Sequence, residues 1–414
     1  MKQFQYFNNH LSASLLTKRV PSALGLAAVV IGLLPTLVQA QIPSISNLHI
    51  SAVLDGYYQS EDRIMTERAE GFGVGETEFS LSADIDDMFF GKLTTVYESH
   101  SGEDEFEVEE AFIQTTALPN GFSVRAGRFL SDVGYLNNQH LHTDSFTSRP
   151  GAYRAFLGNH YFDNGLRVSY TAPTDLYWTM GAEAFSGTSL RAEDESGERD
   201  FDSTGVYTAF TKIGGDIGVE SSWQLGLSYL RNENGQVMLE AHNEEEEAAL
   251  AEEGDEHDAG YTGENTYIAD FVFKWAPNGN YKYRSLTLSA EYFRVNDFMI
   301  DDLNDEIATA ADEGNDGKDY HQAWYVSGVY QFSPHWSAGL RYGKLDTQLA
   351  GEEGFSAQTL KETELSASWH NSHFSTVRLE VSHQSNVGFD DVLNDNVVTL
   401  QYIMSLGDHG AHQF

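Results

Sequence analysis

His140 and His142 form a His-x-His pair two residues before Asp144, and Arg149 and Arg154 follow in the same connector. Imidazole and carboxylate together suit zinc and other divalent cations. A second group, His242, Glu244, Glu245, His257 and Asp258, lies in the tract 232–263, which holds eleven Asp or Glu, two His and no Lys or Arg. His409 and His412 stand close to the C-terminus. These tracts have no fixed ligand spacing. They read either as solvated polar residues or as a loose gathering surface for zinc or another divalent cation, and no cofactor is required. Catalytic spacing is missing: Gly-x-Ser-x-Gly, His-Glu-x-x-His and phosphate-loop patterns do not occur, and the chain has no cysteine. We therefore expect a protein that is not an enzyme.

The elements that must position these residues are strands. From Asn47 onward, segments of ten to fourteen residues alternate apolar with polar or small, the period of a sheet with two unlike faces. Phe79, Leu81, Ala83 and Ile85 oppose Glu78, Ser80, Ser82 and Asp84; Thr363, Leu365, Ala367 and Trp369 oppose Glu362, Glu364, Ser366 and Ser368. Sixteen such segments are predicted, at 47–58, 73–85, 89–99, 105–116, 121–130, 164–172, 175–187, 203–213, 217–231, 264–276, 282–295, 320–332, 335–345, 360–370, 374–385 and 395–406. Short turns such as Pro173-Thr174, Gly214-Gly215-Asp216 and Pro277-Asn278-Gly279 alternate with long connectors at 131–163, 188–202, 232–263, 296–319 and 346–359.

That pattern predicts an all-β fold: a single 16-stranded antiparallel transmembrane β-barrel with short periplasmic turns and long acidic extracellular loops. Tryptophans 178, 275, 336 and 369 fall near short turns and Trp324 near the opposite end of its strand, as two interfacial belts would place them. The competing reading is a soluble β-sandwich or solenoid, whose strands would also alternate. Tyrosine-rich faces and the lack of a fixed-period repeat favour the barrel.

Composition narrows the function. With 63 Asp+Glu against 24 Lys+Arg, the formal charge is −39, which disfavours nucleic acid as a partner. Residues 1–40 carry Lys2, Lys18 and Arg19, then the apolar run 23–38, then Val38-Gln39-Ala40. This reads as a cleaved signal peptide, with 41–414 as the barrel. Acids crowd the connectors 188–202, 232–263 and 296–319, whereas Arg125, Arg167, Arg341 and Arg378 occupy polar-face positions, with Glu364 and the acids Glu78, Asp84, Glu98, Glu183 and Asp270 facing them. Rings of charged side chains select ions in pores, and paired charges also simply hold a wall together. Both readings stay open for each pair.

Three stretches carry a resemblance: Val124-Arg125-Ala126-Gly127-Arg128-Phe129, Phe146-Thr147-Ser148-Arg149 and Asp163-Asn164-Gly165-Leu166-Arg167-Val168. Here the chain resembles the phosphate-selective porin O and P family of outer-membrane barrels. The closing run Tyr402 to Phe414, with the His-bearing acidic tract, is similar to the short barrels labelled zinc-regulated, TonB-dependent outer-membrane receptors. The resemblance implies that the third long connector, 131–163, folds inward as a constriction, lined by His140, His142, Asp144, Arg149 and Arg154. It implies a homotrimer in the outer membrane of a Gram-negative-type cell, in contact with its lipid and inserted by the barrel assembly machinery, which reads a terminal aromatic such as Phe414.

The expected function is a porin-like channel for passive uptake of small solutes, cations first, with zinc as a candidate cargo. Two alternatives remain: a ligand-gated TonB-type metal receptor, which would need a plug or coupling segment, and a surface adhesion barrel whose acidic loops bind a partner.

Overall fold

A computed structural model of the chain describes residues 48–100, 103–192, 199–237, 259–298, 320–351, 354–389 and 396–407. The predicted leader 1–40 lies outside these residues, as do the tracts holding His242, Glu244, Glu245, His257, Asp258, His409 and His412.

Sixteen strands run in chain order: β1 (His49–Gln59), β2 (Gly71–Asp84), β3 (Phe89–His100), β4 (Glu103–Thr115), β5 (Phe122–Leu130), β6 (Phe162–Thr171), β7 (Tyr177–Phe185) and β8 (Val206–Ile217), followed by β9 (Ser221–Asn232), β10 (Asn265–Trp275), β11 (Ser285–Asn296), β12 (Tyr320–Ser333), β13 (Trp336–Gly351), β14 (Gly354–Ser372), β15 (Ser375–Val387) and β16 (Asn396–Gly407). Each pairs antiparallel with its sequence neighbours, and β1 pairs with β16 from Ser51↔Gly407 to Gln59↔Thr399, so the sheet closes on itself. Closure leaves no free sheet edge, and every ladder hydrogen bond is internal.

The alternation seen in the sequence is a barrel turned inside out relative to a soluble domain. On β14, Glu362, Glu364, Ser366 and Ser368 are buried, while Leu365 is 58% exposed and Trp369 39%. Leu227, Val326, Leu340, Leu379 and Leu400 likewise point outward. Trp336 and Trp369 are register partners beside a short turn, their rings 6.4 Å apart.

Two boundaries depart from the sequence reading. Gly214-Gly215-Asp216 is not a turn but the end of β8, paired with Gln224, Trp223 and Ser222; the chain reverses at Gly218, whose φ of +68° suits glycine. The connector expected at 346–359 is sheet: β13 and β14 stay paired as far as Gly351↔Gly354. Its outward positions include the polar Asp346, Gln348 and Thr359, so the apolar alternation that marks the other strands is interrupted there.

Connector 131–163 runs inside the barrel. Its helix α1 (Gly151–Leu157) is buried along its whole length, entered from Pro150 and ended by Gly158 in the left-handed conformation at φ +52°. Seven residues do not hold a helix alone, so packing does. Tyr153, Phe156 and Leu157 join Phe293, Val295, Tyr325, Leu345 and Leu360 from the wall in one apolar cluster. Each buried aromatic or leucine contributes about 1.5–3 kcal/mol. The inward face is therefore mixed: polar toward the short turns and apolar around α1.

Candidate functional site

The site is the contact between connector 131–163 and the barrel wall. Along β13 to β15, with Arg68 added from the β1–β2 connector, side chains hold connector 131–163 by its backbone. Five successive carbonyls accept hydrogen bonds from side chains: Asp144 O from Arg378 Nη2, Ser145 O from Ser366 Oγ (3.1 Å), Phe146 O from Arg378 Nη1 (3.1 Å), Thr147 O from Arg68 Nε (2.9 Å) and Ser148 O from Arg341 Nη2. Glu380 completes the strap, accepting from the Thr147 N–H (2.8 Å) and hydroxyl (2.7 Å). An extended segment has no ladder to satisfy its polar groups, and arginine, with five donors in a fixed fork, supplies them.

Behind the strap lies a buried charge network. Arg63, whose side chain is fully buried, pairs with Glu364 (2.8 Å), Glu362 (3.2 Å) and Glu380 (3.4 Å). Arg341 pairs with Glu364 and Arg154 with Glu362. Arg154 also donates to the carbonyls of Arg149 (3.0 Å) and Met65 (3.1 Å), tying α1 to the β1–β2 connector. Within the loop, Arg149 is 2.7 Å from Asp144 and donates to the Leu136 carbonyl (2.6 Å). Burial raises the Asp144 carboxyl above its ordinary value, against the pull of Arg149, Arg341 and Arg378. Glu291 on β11 accepts from the Tyr153 hydroxyl (2.9 Å), the Tyr325 hydroxyl (2.6 Å) and the Tyr135 N–H (2.9 Å). Burial pushes the Tyr135 phenol up to about 12.

Further round the wall, past β16 and β1, His140 and His142 stack at 5.8 Å and face carboxylates of β2 and β4. His140 Nδ1 lies 2.9 Å from Glu109 and 3.4 Å from Glu78, and His142 Nδ1 bonds Glu78. His160 Nε2 stands 3.3 Å from Glu109 and 3.7 Å from Glu76.

Between the connector and the short-turn rim lie two cavities. One, about 800 Å³, is lined by Arg125, Arg167, Lys212 and Asp132 among others. The second, about 790 Å³, is lined by His142, Asp144, His370, His373, Arg378 and a series of serines and threonines. Lys212 pairs with Asp132 at 2.7 Å, and Arg167 pairs with Glu183. Burial would raise the Asp132 carboxyl, but Lys212 and Arg167 beside it hold it well below the usual carboxylate range. Arg125 lies over the Phe112 ring at 4.1 Å.

The structure thus brings together His140, His142, Asp144, Arg149 and Arg154 on one connector inside the barrel, and sets Arg341, Arg378 and Glu364 against it. Arg125 and Arg167 border a cavity instead. Asp84, expected to face the pore, is exposed at the short-turn end of β2. Sequence reasoning missed Arg63 and Arg68, which sit in a connector assigned no role, and also Glu76, Glu109, Glu110, Glu291 and Glu380. Strict period-2 reading hides Glu109 beside Glu110. A register shift opposite Thr94 and Thr95 turns both inward.

No protein-family model matches the chain. An uncharacterised protein of Aquifex aeolicus (strain VF5) is 26% identical over 384 residues, covering 89% of this chain and 76% of that protein. Among solved structures, the outer membrane channel DcaP of Acinetobacter baumannii aligns with a TM-score of 0.52 at 13% identity, over 87% of this chain and 96% of that one. The anion-selective porin from Comamonas acidovorans gives 0.51 at 11%, over 87% and 99%. OmpT of Vibrio cholerae in its trimer form gives 0.51 at 10%, over 87% and 99%. The fold is that of a porin-type barrel.

Proposed function

We propose that this barrel is an outer-membrane channel for passive passage of small polar solutes, with connector 131–163 as its constriction. The observation that carries this reading is a closed sheet with an apolar exterior and an inward-folded loop strapped to the wall above two polar cavities. His140, His142, Asp144, Arg149 and Arg154 belong to the constriction in this reading, and Arg125, Arg167, Arg341, Arg378 and Glu364 to the wall that borders or holds it. The likeness to channels and porins supports this reading through the fold. A homotrimer, insertion by the barrel assembly machinery and a cleaved leader are parts of the same proposal.

Cations are the proposed cargo, zinc among them. Support comes from the acidic connectors, whose field would concentrate cations at the mouth at low salt. The cavities themselves carry both signs, so the preference would arise at the entrance. Single-channel recording in planar bilayers tests both parts. Stepwise conductance is expected, with a reversal potential under a salt gradient that shows cation preference, reduced when 240–258 is deleted. Folded protein that gives no steps sinks the channel, and an anion preference sinks the cargo.

A further inference from the structure

Past β16 and β1 from the arginine strap, three elements bring donor atoms to one point. Glu78 comes from β2, Glu109 from β4 and His140 from the constriction loop, and one ligating atom of each lies within 4.8 Å of the others. His140 Nδ1 is 2.9 Å from Glu109 Oε2 and 3.4 Å from Glu78 Oε2. Two carboxylates and an imidazole are a donor set for a first-row divalent cation such as zinc, cobalt or manganese.

A second observation separates this cluster from an ordinary group of acids. Glu109 is 1% exposed, and its two oxygens face imidazole nitrogens, His140 Nδ1 at 2.9 Å and His160 Nε2 at 3.3 Å, neither of them aligned as a hydrogen bond. Buried polar atoms are almost always hydrogen-bonded, and the exceptions mark strain, chemistry or an ion.

The outer partners complete the arrangement. His140 Nε2 lies 3.2 Å from Glu110 Oε2 and 3.0 Å from Lys92 Nζ. Lys92 Nζ can only donate, so without metal Nε2 accepts from it and Nδ1–H faces the carboxylates; a metal on Nδ1 would move the ring proton to Nε2, where Glu110 stands ready to accept it and orient the imidazole. The far oxygens of the ligands have their own neighbours: His142 Nδ1 bonds Glu78 Oε1, and His160 Nε2 stands 3.3 Å from Glu109 Oε1. Glu76 and Glu78 share the inward face of β2 by the ordinary strand period, and a register shift in β4 turns Glu109 inward beside Glu110.

We propose that Glu78, Glu109 and His140 bind one divalent transition-metal cation, which pins the constriction loop to the β2–β4 wall. Without metal, a proton on Nδ1 takes the same position between the carboxylates, and binding displaces it. The site does not require that the barrel conduct, because it is read by metal content and not by current.

The test uses the full chain in detergent, stripped with chelator and titrated with Co²⁺. One high-affinity equivalent is expected, with the visible absorption of cobalt in a nitrogen and oxygen environment. Glu109→Gln and His140→Asn should each weaken binding at least tenfold, whereas deletion of 240–258 should leave this equivalent in place. Zinc-edge X-ray absorption on the unmutated protein gives a reading independent of whether the variants fold, and imidazole scattering is expected. An all-oxygen shell, wild-type binding in both variants, or loss of the equivalent when 240–258 is removed would each overturn the site.

Discussion

Connector 131–163 is gripped at two stretches of the wall by different chemistry. Along β13 to β15, guanidiniums donate to its carbonyls and pair with Glu362, Glu364 and Glu380. Along β2 to β4, carboxylates converge on imidazoles, with Glu109 2.9 Å from His140 and 3.3 Å from His160. The first grip uses cations that are always charged; the second uses groups whose partner can be exchanged. A loop held in this way keeps one fixed side and one side whose strength depends on what occupies it.

The largest expected effect breaks the first grip. Arg63→Ala leaves three buried carboxylates without their shared cation, and removing one partner of such a network costs about 3–5 kcal/mol. Urea unfolding followed by tyrosine and tryptophan fluorescence should show that loss; a change under about 1 kcal/mol would mean that the network contributes little.

The second prediction is smaller and sharpens the comparison. In chelated buffer, Glu109→Gln removes a carboxylate that faces His140 at 2.9 Å without good hydrogen-bond alignment, so the barrel should lose roughly 1 kcal/mol. Adding metal should widen the difference by stabilising only the unmutated chain. Equal destabilisation with and without metal would show that the two sides work alike.

The smallest effect is expected away from both. Lys344 and Asp346 pair at 2.7 Å, with side chains 32% and 25% exposed, on the outward face of β13. Lys344→Ala should shift stability by no more than about 0.5 kcal/mol, as exposed pairs do.

Much of this architecture was legible in the sequence because a barrel repeats its two-residue period sixteen times, and turn residues punctuate it. The 131–163 connector stood out by composition, and its histidines and arginines do meet the wall. Legibility stopped where that period breaks. Neither the paired inward carboxylates of β4 nor the long hairpin of β13 and β14 follows the simple alternation. Arg63 and Arg68 were invisible for another reason: a charged residue in a connector carries no mark of the strand, some three hundred residues distant in the case of Arg63, that it will meet. Likewise Arg341 and Arg378 were expected as pore-wall charges, and pattern alone could not tell that their donors would be taken up by a loop's carbonyls.

The run of carbonyls from Asp144 to Ser148 has a consequence for variation. Because the wall grasps main-chain oxygen there, the identity of side chains such as Ser145 and Ser148 is not what keeps the strap in place. Those positions can be rewritten while the loop keeps its seat.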